Sequence, residues 1–422
     1  MTRAPLVITF AGLLATVVWL RTQPAPKPEF GPPTVDTKTD SKDRPAYPSL
    51  RVRPLGAGLP DKGEWRGKPL VADLNGDGKR DIAASIRRYD KVRIADGPHV
   101  FLGDGGKQWK PCDAGLAKDM GYGGLDAADV TGDGRPDLVY SGHDLAPRVF
   151  ANFLEQEKAN EWVAMDPVPG VEGVSCSDVA FGDFDRDGHV DLAVMGFFPK
   201  TGGLYVMRNK GTGEFEEPTL LMPKSDYGAI VRFVDLDGDG GVELLAATSN
   251  GAKTWSYHDG KWVEQSAGLP TTEGVGQISG IIRGIDAHDI DGDGKAEIAV
   301  SCLPTEGHPP IRIYRGEGDK WEVWGSGLPT GESFFDVVFA RLATGESGLF
   351  LAGKHGAVVV RCRRDGVCET LGAIEGTTGI LNVGAGDVDG DGADDLLVVG
   401  QYGLKIFAIE NTAVTAKEGS AR

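Results

Sequence analysis

The chain has 422 residues, 62 of them glycine, with 40% hydrophobic and 8% aromatic content, five cysteines and a formal net charge of −18. About twice the ordinary share of glycine, with modest apolar content, excludes a polytopic membrane protein, and scarce cysteine excludes a disulfide-dense scaffold. The acidic balance excludes a nucleic-acid partner, because nothing in it would neutralise phosphates.

In chain order, Arg3 precedes an apolar run from Leu6 to Leu20 that Arg21 closes. Residues 1–21 therefore read as a signal peptide or an N-terminal membrane anchor, and the folded part as extracytoplasmic: secreted, periplasmic or held at the outer side of a membrane. Residues 22–48 carry Pro24, Pro26, Pro28, Pro32, Pro33, Pro45 and Pro48 among charges, which predicts a disordered, extended linker. Residues 412–422 read as a disordered tail.

From residue 49 to 411 the sequence repeats itself. Six acidic segments align without gaps, beginning at Asp73, Asp129, Asp183, Asp235, Asp289 and Asp387, so that the spacings are 56, 54, 52, 54 and 98. The last interval is close to two periods, and a seventh, eroded copy beginning at Arg341 fills it. Each copy holds an alternating apolar strand, the acidic loop, an apolar strand such as DLAVMG, a third strand such as GLYVMRN, and a fourth near an aromatic (Trp109, Trp162, Phe215, Trp262 or Trp321) that often ends in Gly-Leu. Four strands per period of about 50 residues predicts a propeller blade, and seven copies predict an all-β, seven-bladed propeller. The last copy supplies only three strands, whereas the first is preceded by Leu50-RVRPLGAGLP, which matches the fourth-strand endings at 266–270 and 325–329. An N-terminal strand is thus expected to complete the last blade and close the ring, leaving no open sheet edge.

The loops follow D-x-[DNT]-x-D-G-x-x-[DE]-[LI]. Oxygen side chains at positions 1, 3, 5 and 9 converge on one point: Asp73, Asn75, Asp77 and Asp81; Asp129, Thr131, Asp133 and Asp137; Asp183, Asp185, Asp187 and Asp191; Asp235, Asp237, Asp239 and Glu243; Asp289, Asp291, Asp293 and Glu297; Asp387, Asp389, Asp391 and Asp395. An all-oxygen, carboxylate-rich, flexible shell favours calcium over magnesium, about six ions in all. Position 6 is always glycine, where the chain must reverse with positive φ, and position 7 is indifferent to side chain, as expected if its carbonyl is the ligand. The eroded copy puts Arg341, Ala343, Gly345 and Leu349 at the ligand positions and should hold no metal.

These loops and their flanking strands resemble FG-GAP/VCBS repeats, the blades of the integrin α-subunit propeller and of many secreted bacterial proteins. The resemblance implies a calcium-binding propeller with the acidic loops, between strands 1 and 2, on one face. Recognition then falls to the opposite face, built by the 2–3 and 4–1 loops. Trp65, Arg88, Tyr89, Tyr122, His143, Phe198, Tyr227, His308 and Tyr402 are the candidate contacts there for a protein or glycan ligand. A carbohydrate-active enzyme, a polysaccharide lyase or hydrolase using that same face, is the alternative. No nucleophile elbow, Walker loop, dinucleotide fingerprint or metal-triad histidine spacing is present, and no catalytic residue is assigned. Cys362 and Cys368 flank a hairpin-like turn and could pair in an oxidising compartment, whereas Cys112, Cys176 and Cys302 read as buried thiols.

Overall fold

The computed structural model describes residues 46–410 apart from 90–91, 95, 144, 155–160, 199, 272–278 and 304–308; the side chains of 88–89, 92–93, 279–281 and 303 also lie outside that description. Residues 1–21, most of the Pro-rich segment 22–48 and the tail 412–422 fall outside the described residues. Among those described, every regular element is a strand.

The strands form seven sheets of four antiparallel strands, the blades of a propeller: blade 1 spans 64–111, blade 2 125–164, blade 3 176–222, blade 4 228–264, blade 5 279–323, blade 6 334–373 and blade 7 380–409. Blade 7 takes its fourth strand from Val52–Pro54, which pairs Val52 with Ile409 and Pro54 with Phe407, so the ring closes as the repeat grammar requires. Blade 1 adds Val92–Arg93 as a short strand folded back on Asp81–Tyr89.

The second strands are continuous apolar runs because both of their faces are covered. Asp137–Gly142, Asp191–Gly196, Glu243–Thr248 and Asp395–Gly400 are buried at every residue. The core therefore lies between blades: Val130, Val139 and Val149 of blade 2 pack with Val179, Phe181, Val194 and Tyr205 of blade 3.

Two rings of polar contacts fasten neighbouring blades. At the periphery, Trp109, Trp162 and Trp321 stand at the start of fourth strands and donate their indole N–H to carbonyls just past the end of the preceding blade's fourth strand, at Leu55 (2.7 Å), Cys112 (3.1 Å) and Gln265 (3.0 Å). Their backbone N–H groups bond Ala57, Ala114 and Ala267. The glycine next in line, such as Gly115 with φ of 85°, lies so close that a Cβ would stand 1.7 Å from the Trp162 carbonyl oxygen. This latch is the reason that the aromatic and the Gly-Leu ending recur together.

At the axis, first strands carry polar residues three or five positions ahead of the loops. Asp126, Asp178, Asp286 and Asp336 accept backbone N–H bonds from Phe181 (2.9 Å), Val231 (3.0 Å), Phe339 (2.8 Å) and Val383 (3.1 Å) of the next blade, and Asn382 accepts one from Gly67 (3.2 Å). Lys68 of blade 1 reaches Asp286 of blade 5 at 3.2 Å, a contact between non-neighbouring blades that places both side chains at the centre of the ring. Arg232 of blade 4 pairs with Asp178 at 2.6 Å. Burial pushes the Asp126 and Asp178 carboxyls above the usual carboxylate range and that of Asp336 up to about 6.

Candidate functional site

Each acidic loop is a run of side chain to backbone turns. In five loops the position 1 aspartate takes the N–H groups of positions 4 and 6 on its two oxygens, as Asp289 does from Gly292 (2.7 Å) and Gly294 (2.9 Å), whereas Asp183 takes those of positions 5 and 6, from Asp187 (3.1 Å) and Gly188 (3.0 Å). Position 3 accepts from position 5 (Asp293 to Asp291, 3.0 Å) except in the second loop, where the Asp133 N–H goes to Asp129 (3.0 Å), and position 5 accepts from position 7 (Lys295 to Asp293, 2.9 Å). The six position 6 glycines all have positive φ, between 80° and 94°. Position 4 is a second left-handed site that the sequence pattern left as "x". It is glycine in five loops and Arg186, at φ 60°, in the third.

The position 9 acid does a different job. It is buried, with Asp81, Asp137 and Asp191 at 0% exposure. One of its oxygens takes the N–H of position 2: Leu74 to Asp81 (2.8 Å), Leu236 to Glu243 (2.8 Å), Ile290 to Glu297 (2.9 Å), Val388 to Asp395 (2.9 Å). In the first three blades the other oxygen takes an N–H at the end of the third strand, from Gly103, Asn152 and Asn209. The acid thus staples its loop to the sheet while standing at the edge of the oxygen cluster.

In four loops three carboxylates approach within 4.8 Å of one another: Asp183, Asp185 and Asp191; Asp235, Asp237 and Asp239; Asp289, Asp291 and Glu297; Asp387, Asp389 and Asp395. Such a set fits a hard divalent cation. Burial, reinforced by the other acids of the same loop, pushes Asp191, Glu243, Glu297 and Asp395 up to about 7 and Asp81 up to about 6. Cationic side chains partly offset the loop charge, including Arg208 to Asp185 at 2.8 Å, Arg315 to Asp291 at 3.0 Å, Arg53 to Asp389 at 2.7 Å, and Arg186, which crosses from loop 3 to Asp239 of loop 4.

The eroded loop of blade 6 corrects the gap-free alignment. Ala340 pairs with Gly348 where Gly182 pairs with Asp191, so the loop is one residue shorter and Gly348, not Leu349, occupies the place of the position 9 acid. The Leu342 N–H, deprived of a carboxylate, bonds the Glu346 carbonyl at 2.9 Å instead. Leu349 is an ordinary buried strand residue.

On the opposite face the candidates separate. Trp65 is buried at 1% exposure, packed beside His99 and Phe101 with its indole N–H on the Lys62 carbonyl, so it belongs to the core and not to a ligand surface. Tyr122, His143 and Phe198 come together: Tyr122 stacks on His143 at 4.3 Å, His143 meets Phe197 at 4.4 Å, and Phe197 meets Phe198 at 4.8 Å. Phe197 was not singled out by the sequence, although it adjoins a residue that was. Tyr402 is 55% exposed and stands apart, over blade 7 beside Gly379. Tyr227 holds the Ser249 N–H through its carbonyl at 2.7 Å. The side chains of Arg88 and Tyr89, and His308 as a whole, lie outside the described residues. Cys362 and Cys368, register partners in blade 6, are joined as a disulfide; Cys176 and Cys302 are buried thiols and Cys112 is half-buried.

Residues 73–140, 183–246 and 235–300 match the FG-GAP-like repeat, each stretch running from one acidic loop into the second strand of the following blade. The protein is a β-propeller carrying FG-GAP-like repeats. No curated protein matches the chain significantly. Among solved structures it is similar to BBS1N, crystallised in complex with ARL6DN, at 12% identity and a TM-score of 0.53 over 88% of this chain and 99% of that one. A lectin of Agrocybe aegerita that recognises non-reducing terminal N-acetylglucosamine aligns at 16% identity and a TM-score of 0.44, over 74% of this chain and 81% of the lectin. Likeness at these identities is one of fold.

Proposed function

We propose that this protein is an extracytoplasmic interaction module in which calcium, held by the acidic loops, stabilises a propeller that presents its opposite face to a protein or glycan ligand. The observation that carries this reading is the recurrence of one donor set. Positions 1, 3, 5 and 9 gather oxygens in six loops, and in four of them three carboxylates already stand within ligand reach of one another. Asp73, Asp129, Asp183, Asp235, Asp289 and Asp387 would hold the ion with the acids and oxygens that follow them, and the ion would supply charge neutralisation. Its binding to the folded loops and hardly to the unfolded chain makes it a stabilising ligand. A propeller of the same fold has been crystallised with a second protein, which supports partner binding as the role. The Cys362–Cys368 disulfide and the signal-like residues 1–21 support an oxidising compartment.

Calcium titration by calorimetry, with elemental analysis of the purified protein, tests the metal reading. About six ions per chain are expected, and EGTA at low salt should lower the melting temperature. Unchanged melting in EGTA, or no bound alkaline-earth metal, overturns it.

A further inference from the structure

Resting on that reading, and deepening it for the ligand face, we infer that the surface built by Arg66, Arg87, Tyr122, His143, Phe197 and Phe198 is a docking site for an acidic segment of a protein partner. Arg66 and Arg87 both donate to the same oxygen of Glu64, at 2.7 Å and 2.8 Å. Among the described residues Glu64 is the only carboxylate ion-paired to either, so one anion balances two guanidinium groups. Glu64 and the Arg66 side chain are almost wholly buried, whereas Arg87 keeps 22% of its side chain in solvent. Burial first, and then the charge of Arg87, pushes the Arg66 guanidinium down. Two guanidinium groups that share one carboxylate, one of them partly open to solvent, are complementary to a second carboxylate, to which a guanidinium donates two parallel N–H bonds.

The adjoining rings decide the class of partner. Both guanidinium groups lie over the Tyr122 ring, at 5.7 Å and 5.5 Å from its centre, and His143 stacks against it. A pyranose ring needs an open aromatic face; here the Tyr122 ring carries both guanidinium groups and is stacked on His143, while Phe197 meets Phe198 edge to face. Rings packed in this way beside a cation pair suit an Asp or Glu flanked by an apolar side chain. The row joins blades 1, 2 and 3, so a bound segment would run across blades along the face away from the acidic loops.

A random 12-residue peptide-display selection against the calcium-loaded protein tests this, repeated with Arg87→Gln and with Phe198→Ser and followed by fluorescence anisotropy on the most enriched peptide. Enrichment of Asp and Glu beside apolar residues is expected, with binding weakened about tenfold or more by Arg87→Gln and by added salt. Variants that melt at the wild-type temperature keep the comparison valid, and Arg135→Gln on the acidic-loop face should leave binding unchanged. Selected peptides without acidic bias, or acidic ones that bind Arg87→Gln equally well, overturn the inference while leaving the calcium result untouched. Binding of oligogalacturonate that Arg87→Gln abolishes, without any acidic peptide, also overturns it by making the partner a glycan.

Discussion

The acidic loop of blade 5 and the eroded loop of blade 6 join equivalent strands of adjacent blades, yet they satisfy the same backbone by different means. In blade 5 the Ile290 N–H is held by the buried Glu297 carboxylate. In blade 6 one residue is deleted, Gly348 takes the acid's place, and the Leu342 N–H turns to the Glu346 carbonyl in a plain turn. The difference teaches that position 9 is a structural acceptor whether or not its loop holds a metal. A blade can lose the position 9 acid where the loop also shortens, because a buried amide without any partner is what the fold does not tolerate.

The strongest way to break this comparison is to remove the acid while keeping the long loop. Asp191→Leu strips the acceptor from both Phe184 N–H and Asn209 N–H. It should cost about 3 kcal/mol in urea unfolding even in EGTA, where the metal cannot contribute. A loss under about 1 kcal/mol would show that the acid serves only the ion.

A smaller effect separates the loops by pH. In metal-free protein Asp191, Glu243, Glu297 and Asp395 sit near 7, raised by burial and then by neighbouring acids, so the folded state binds more protons than the unfolded chain. The contribution of these acids to stability in EGTA should therefore be fully present below about pH 4 and be lost as pH rises through about 7. Saturating calcium should flatten or reverse that slope, since protons and metal compete for the same oxygens. Stability in EGTA that rises from pH 6 to pH 8 would contradict the assignment.

The least effect belongs to blade 6 itself. Arg341 meets blade 7 through its backbone, donating its N–H to Asp394 at 2.7 Å, so Arg341→Ala should change stability by less than about 0.5 kcal/mol and leave calcium stoichiometry unchanged. A lost ion would mean that blade 6 takes part in metal binding after all.

Much of this architecture was legible in the chain. The period, the acidic grammar and the match of residues 50–60 to later fourth strands determined seven blades and their closure, because a repeated local pattern dictates a repeated local structure. Left-handed glycine at position 6 followed from turn chemistry alone. What only the tertiary structure decided is how the repeats meet. That Asp126, Asp178, Asp286 and Asp336 clamp the next blade, that Lys68 crosses the axis to Asp286, and that Trp65 is core while Tyr122, His143 and Phe198 share one surface all depend on contacts between residues far apart in sequence. Periodicity fixes which way a side chain points along its own strand; whether it meets a neighbouring blade or solvent is set by ring closure, which no single repeat encodes.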